Sequence, residues 1–194
     1  MSLQKPPTER VSRFLLAQSG QNFTYAAVGA TARVPPAGYV VDYTRTKLGE
    51  GESVYRTAKA ALENWKQFDL GWIEVCAPML QIDSGRVVVI LAHVFGAWWL
   101  NASRVVSVVD EAAKTTEFGF AYGTLPGHAE SGEERFLVEW DHDDDRVWYD
   151  ILAFSRPRHW LARIGYPAAR DIQRRFARDS AAAMRRAVNA ELTQ

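Results

Sequence analysis

Residues 118–140, FGFAYGTLPGHAESGEERFLVEW, hold two alternating runs joined by a loop rich in glycine and polar groups. Phe118, Phe120 and Tyr122 share one parity, with Gly119, Ala121 and Gly123 between them; Phe136, Val138 and Trp140 resume the pattern after the loop. A period of two marks a half-buried strand, so the stretch predicts strands at 116–124 and 133–141. Small residues on the second parity leave room for a helix, a ligand or a neighbouring backbone. The joining segment TLPGHAESGE (124–133) is longer than a usual hairpin connection. It places His128 beside Glu130, Glu133 and Glu134, and an overlong polar loop is a place to look for function.

Working outward, the pattern repeats. Strands are predicted at 72–77, 86–95, 98–110 and 146–155, with turn signals at DSG (83–85), EAAK (111–114) and DHDDD (141–145). Together with the central pair they form a six-stranded antiparallel meander. Gly96 is expected to mark a bend or bulge. Upstream, PPAGY (35–39) is a turn and YVVDYTRTKLG (39–49) reads as a further strand. In EGESVYRTAKAALENWKQF (50–68) the period changes. Val54, Ala58, Ala61, Leu62 and Trp65 share one helical face, and Glu50 and Glu52 sit where the helix dipole favours negative charge. LGEGES is thus a helix start, since it lacks phosphate-loop spacing. TERVSRFLLAQ (8–18) predicts a short amphipathic helix capped by Thr8. After RPRHW, Pro167 suits the first turn of a long helix ending near Leu192, roughly 39 Å at 1.5 Å per residue. Its apolar stripe runs through Ala169, Ile172, Phe176, Ala183, Met184 and Val188.

The fold class is therefore α+β. The element order resembles the helix-grip fold of the START-like, Bet v 1-like (SRPBCC) superfamily, in which a curved antiparallel sheet wraps a long C-terminal helix. That resemblance implies a cavity between sheet and helix. The 194 residues fit a single domain over 1–194, with residues 1–20 as an N-terminal helical extension.

Composition narrows the function classes. The formal net charge is zero, so the molecule as a whole has no long-range pull on polyanions. From Arg156 onward, however, nine arginines face three acids, which keeps open a polyanion- or protein-binding basic helix; no nucleic-acid partner is expected, for want of a recognition motif. Cys76 is the only cysteine, which excludes an internal disulfide and a thiolate zinc site; it reads as a small core residue. The longest apolar run, VVVILAHVFGAWWL (87–100), is too short to span a bilayer, and no signal peptide is visible. The expected location is cytoplasmic.

Several residues invite chemistry. His128 and Glu130 form an H-x-E pair without the P-C-x-x-C that zinc deaminases need. His128 with Glu130, Glu133 and Glu134 contains possible metal ligands, but no metal is assigned. The pair His128 and Glu130 is the candidate for acid–base work, and the alternative is that the glutamates are solvated while His128 caps the turn. Arg104 shares a strand parity with Trp98, Leu100, Ala102, Val106 and Val108; if buried it needs a partner, either Glu139, Asp150 or an anionic ligand. DHDDD lacks the rest of a calcium loop. Ser155, Arg156 and His159 lack a nucleophile elbow.

Taken together, FTYAAVGAT, PPAGY, LGEGESVY, YGTLPGHAESGEERF, VWYDILAFSRP and RRFARDS resemble the uncharacterised family of bacteria and plants known as domain of unknown function nineteen-ninety. The likeness runs from about Phe23 to about Val188. It implies one START-like domain and no established reaction or cofactor. The expected function is binding of a small hydrophobic or amphipathic molecule. Its walls are expected from Trp99, Phe120, Tyr122, Trp148 and Phe154, and its polar contacts from Arg104, Tyr122, Thr124, His128 and Glu130. The alternative is an enzyme on the same scaffold, a cyclase, isomerase or hydrolase using His128.

Overall fold

The computed structural model of the chain describes residues 1–76, 81–158 and 166–192. Seven strands form one antiparallel sheet: β1 (Val40–Glu50), β2 (Ile73–Cys76), β3 (Val87–Val94), β4 (Ala97–Ala112), β5 (Thr115–Thr124), β6 (Glu130–Asp141) and β7 (Arg146–Pro157). Their order is β1-β7-β6-β5-β4-β3-β2. Strands β2 to β7 are a continuous meander, and β1 adds to its last strand, pairing Val40 with Ser155 and Glu50 with Arg146. Among the described residues three α-helices accompany the sheet: α1 (Thr8–Ser19), α2 (Glu52–Glu63) and α3 (Tyr166–Leu192). No helix among the described residues is long and apolar enough to cross a membrane.

Two irregularities bend the sheet. Register shifts between Lys47 and Gly49 in β1 and between Val105 and Ser107 in β4 mark bulges, which kink a strand and increase its twist. Gly96 is not a third. With Phe95 (φ 53°) it forms a two-residue hairpin turn, Gly96 having φ 72°. Positive φ at both central residues matches the turn's twist to that of the flanking strands. Thr8 is likewise not a cap. It is the first helical residue, and the first helical N–H groups reach the Pro7 carbonyl, Arg10 at 3.0 Å and Val11 at 3.2 Å.

One half of the concave face is filled. Leu62 of α2, with Trp65 and Phe68 just beyond it, meets Phe120, Phe136, Met184 and Val188 in a continuous core. Trp65 stands edge-on to Phe120 at 5.1 Å, and Phe68 to Phe136 at 5.5 Å. The Tyr149 and Ser180 hydroxyls, 2.9 Å apart, tie β7 to the middle of α3. Gln67 is buried in this half, and neither of its side-chain amide atoms has a partner among the described residues. An unpaired buried amide costs free energy, so Gln67→Met is expected to raise stability by about 1 kcal/mol in urea unfolding. A lower midpoint would contradict this.

The convex face carries the N-terminal segment. Phe14 and Leu15 of α1 pack on Val87, Ala102 and Leu125. The chain then runs back across the sheet, where Thr24 N–H donates to the Thr124 carbonyl at 3.0 Å and Tyr25 stands edge-on to Phe154 at 5.6 Å. Beneath it lies Glu133, 3% exposed. This carboxylate accepts from the Tyr25 hydroxyl at 2.6 Å, Gly29 N–H at 2.8 Å, Thr31 N–H at 3.0 Å and the Thr31 hydroxyl at 2.5 Å.

Candidate functional site: a cavity between the sheet and α3

Where the C-terminal half of α3 seals the core, its N-terminal half does not. Ala168, Ala169 and Ile172 face Ala153 of β7 and Ala92 of β3, with Gly132 of β6 between. Such small side chains cannot close the gap that a curved sheet leaves under a straight helix. The result is a cavity of about 420 Å³. On the β2–β3 side its wall is Trp72, Ile73 and Ile90; polar groups gather on the side of β1, β7 and β6.

The loop that the sequence makes overlong is Leu125–Ala129, five residues. Glu130 to Gly132 are already strand, because they pair with β7 (Glu130 with Pro157, Gly132 with Ser155) beyond the point where pairing with β5 ends, at Gly123 and Glu133. Gly127 N–H donates to Gln18 of α1 at 2.8 Å, and Arg158 donates to the Pro126 carbonyl. His128 and Ala129 border the cavity.

His128 Nδ1 accepts from Glu130 N–H at 3.0 Å, so in the neutral ring Nε2 carries the proton. Burial pushes the imidazole down to about 4, and at pH 7 it is neutral. Nε2 has no hydrogen-bond partner among the described residues. The ring is therefore oriented by a backbone amide and not by a carboxylate, which makes it a donor on the wall and a weak base.

The carboxylates are the more responsive groups. Glu134 accepts from the Tyr122 hydroxyl at 2.7 Å. Burial pushes its carboxyl up to about 7, against the Tyr122 hydrogen bond and with help from the charges of Glu130 and Asp42. Burial also raises Glu130, which accepts from Gln173 Nε2 at 2.6 Å. The same nitrogen of Gln173 donates to Ser155 at 3.0 Å. Asp42 is paired through both oxygens with Arg170 at 2.5 Å, and Arg170 also donates to Gln173 at 2.5 Å. One connected network thus fixes the N-terminal half of α3 to the sheet.

Because the Glu134 carboxyl titrates higher folded than its ordinary 4.5, the folded state holds the extra proton between about pH 4.5 and 7. Its contribution to stability is complete below that window and lost as pH rises through it. Glu134→Gln removes the titration, so its stability relative to wild type is expected to rise from pH 5 to pH 8 in thermal melts. A constant difference across that range would contradict the assignment.

Of the residues singled out from sequence, Trp99, Tyr122, Thr124, His128, Glu130 and Phe154 border the cavity. Trp99 stands at its rim beside Phe95, both exposed. Thr124 also bonds Thr24 at 2.5 Å and accepts from Gly132 N–H at 3.0 Å. The Phe154 ring packs between Tyr25 and Tyr39. Three residues lie elsewhere. Arg104 is on the convex side, donating to the Ser19 carbonyl at 2.7 Å with its guanidinium 5.6 Å from the Phe23 ring. Its expected partners, Asp150 and Glu139, are taken by Arg45 at 2.5 and 2.6 Å. Trp148 lies under that same Arg45, 4.7 Å from its guanidinium. Phe120 is sealed in the filled half of the core, 1% exposed. His159 falls outside the described residues. Cys76 is half-buried on the edge strand, and burial pushes its thiol up to about 11, too high for a nucleophile at neutral pH. Among the described residues no three His, Cys, Asp or Glu side chains gather in a metal-ligating group.

Asp42, Asn101, Glu134, Ser155 and Gln173 are cavity residues that sequence reasoning left out of the site. For Glu134 the signal was present: it shares the parity of Phe136 and Val138, a carboxylate at an apolar-face position. Gln173 gave a weaker one: it stands four residues after Ala169 and three before Phe176, a polar residue on the apolar stripe of α3.

A curved antiparallel sheet packed around a long C-terminal helix is the α+β helix-grip fold that the element order predicts. The chain belongs to the family Domain of unknown function (DUF1990), whose model matches residues 24–183. It is 33% identical to a UPF0548 protein of Dictyostelium discoideum, covering 95% of this chain and 94% of that one. It is 37% identical to a UPF0548 protein of Arabidopsis thaliana, covering 79% and 75%. Among solved structures, hypothetical protein jhp0584 of Helicobacter pylori superimposes with a TM-score of 0.50 at 9% identity, covering 84% of this chain and 94% of that one. That likeness is one of fold.

Proposed function

We propose that the protein binds a small hydrophobic or amphipathic molecule in the cavity between the sheet and α3. The observation that carries the proposal is the cavity itself. Its volume, about 420 Å³, falls in the range of roughly 300–1,000 Å³ typical of small-molecule sites. Apolar side chains form one side and a hydrogen-bonded polar network the other, the division an amphipathic ligand requires. Titration with the uncharged fluorescent probe N-phenyl-1-naphthylamine is expected to saturate at one site per chain. Ala153→Trp and Ala169→Trp fill the cavity and are expected to weaken binding at least about tenfold while the circular dichroism spectrum is unchanged. Equal binding by both variants would remove the cavity as the site.

A second reading has a specific observation behind it. A carboxyl that titrates near neutral pH, bonded to a tyrosine hydroxyl inside a cavity, can both give and take a proton. In an enzyme on this scaffold the acid–base residue is then Glu134, with Tyr122 orienting it, in place of His128. A bound compound recovered chemically changed from wild type and unchanged from Glu134→Gln would establish this reading; identical recovery from both would end it.

The basic helix supports a polyanion site less well. All six arginines of α3 have partners within the chain: Arg170 with Asp42, Arg174 with Asp171, Arg175 and Arg178 with Asp179, Arg185 with the Lys47 carbonyl, and Arg186 with the Asp69 carbonyl.

A further inference from the structure

The cavity's polar side is unusual in its sign. Glu130, Glu133, Glu134 and Asp42 border the cavity, but no lysine or arginine does among the described residues, and Glu133 is already held by four donors from Tyr25, Gly29 and Thr31. The nearest cation in the network, Arg170, is already committed to both oxygens of Asp42 and to Gln173. That pair cancels, leaving Glu130 and Glu134 to set the field. Gln173, the donor that meets Glu130, divides its amide between Glu130 and Ser155. Glu134 uses Oε2 for Tyr122, and its Oε1 has no hydrogen-bond partner among the described residues. A carboxylate oxygen on the cavity wall that no protein donor occupies is one to which a ligand's N–H can donate.

We infer that the cavity takes a molecule with an apolar body and a protonated amine at its polar end, and rejects carboxylate- or phosphate-ended molecules of the same size. This rests on the reading of the cavity as a ligand site. An ammonium group at the polar end can donate an N–H to the Oε1 of Glu134 and is attracted by the charge of Glu130, whose field already reaches Glu134. An anion in the same place meets these carboxylates with no free cation among the described lining residues to offset them, the unpaired-charge arrangement by which binding sites exclude wrong partners. The Nε2–H of neutral His128 suits a hydroxyl next to the amine.

The groups facing Glu134 are Tyr122 from β5, Glu130 from β6, Tyr149 from β7, Asp42 with its Arg170 partner from β1 and α3, and His128 from the loop. Burial brings the Glu134 carboxyl up to about 7. Its ionised form is the one that pairs with an ammonium, so amine affinity is expected to rise from pH 6 to pH 8.

The test compares three ten-carbon ligands by isothermal titration calorimetry at pH 8: decylamine, decanol and decanoate. Decylamine is expected to bind at least about tenfold more tightly than decanol, with decanoate weakest, since hydrogen bonds to charged groups contribute about 1.5–3 kcal/mol. In the isosteric double variant Glu130→Gln, Glu134→Gln, the ratio of decylamine to decanol affinity is expected to fall to about one, whatever the change in decanol affinity itself. Decanoate binding as tightly as decylamine, or a preference that survives in the double variant, would overturn the inference. Decanol binding without any amine preference would overturn it while leaving the cavity as a ligand site. Failure of all three to bind would overturn both.

Discussion

Replacing Glu133 with alanine is expected to destabilise the protein by about 4 kcal/mol, the largest effect of any single side chain on the convex face. Four donors from one short segment, Tyr25 to Thr31, converge on this carboxylate. Truncation leaves all four without their acceptor, three of them on the buried residues Tyr25 and Thr31. Each buried donor left unpaired costs about 1–3 kcal/mol. Part of that cost is avoided if the segment peels away, so the change should also appear as proteolytic cleavage within residues 20–33. Glu133→Gln keeps an oxygen for Thr31 but turns N–H toward Tyr25 and Gly29, and should fall between wild type and alanine. Urea unfolding measures the series. A loss below about 1 kcal/mol for Glu133→Ala would mean that the segment is held by other contacts.

Gly132→Ala is expected to cost about 3 kcal/mol or more. A Cβ at this position would lie 1.9 Å from the Phe154 carbonyl oxygen and 2.8 Å from the Ser155 Cα. Both are backbone atoms of β7, which cannot rotate aside, so β6 and β7 must separate. They would separate between Glu130 and Glu134, the two carboxylates on the cavity wall. Loss of probe binding should therefore accompany loss of stability. Gly20→Ala is the matched control: nothing lies within 4 Å of its added Cβ, and its effect should stay within about 0.5 kcal/mol. Equal effects at Gly132 and Gly20 would contradict the close approach of β6 and β7.

Much of the fold was legible because strand parity and turn chemistry are local. Phe118, Phe120 and Tyr122 face the core as their alternation indicates, and the 27-residue span of α3 follows from its apolar stripe and early proline. The site was less legible, for a physical reason. Alternation tells inside from outside only where one face of a strand meets water. Strand β4 is covered on both faces, by the core at Val105 and by α1 at Ala102. An apolar parity there does not identify the concave side, and Arg104 was placed on the wrong one. The bulge between Val105 and Ser107 compounds this by resetting the parity beyond it. Phe120 points inward as expected, but Trp65 and Phe68 fill the space above it, and no local pattern shows which half of the concave face stays open. Glu133 is a question of distance along the chain. Its donors lie more than 100 residues away, so an acidic residue in a polar block gave no sign of being buried.

The block YGTLPGHAESGEERF consequently divides in two. Gly123, Gly127, Gly132 and Glu133 hold the N-terminal segment, α1 and β7 in place: added Cβ atoms at the three glycines would strike Tyr25, Phe14 and the β7 backbone, respectively. Tyr122, His128, Glu130 and Glu134 line the cavity. Gly132 and Glu133 belong to both groups, since each also borders the cavity, so the architecture of this strand pair and its candidate chemistry share residues.

Native mass spectrometry of the protein purified without detergent tests the binding proposal most directly. Wild type is expected to carry a single small-molecule adduct released by collisional activation, and Ala153→Trp, with its cavity filled, is expected to carry none. A bare wild-type mass, or the same adduct on the filled variant, would contradict a ligand held between the sheet and α3.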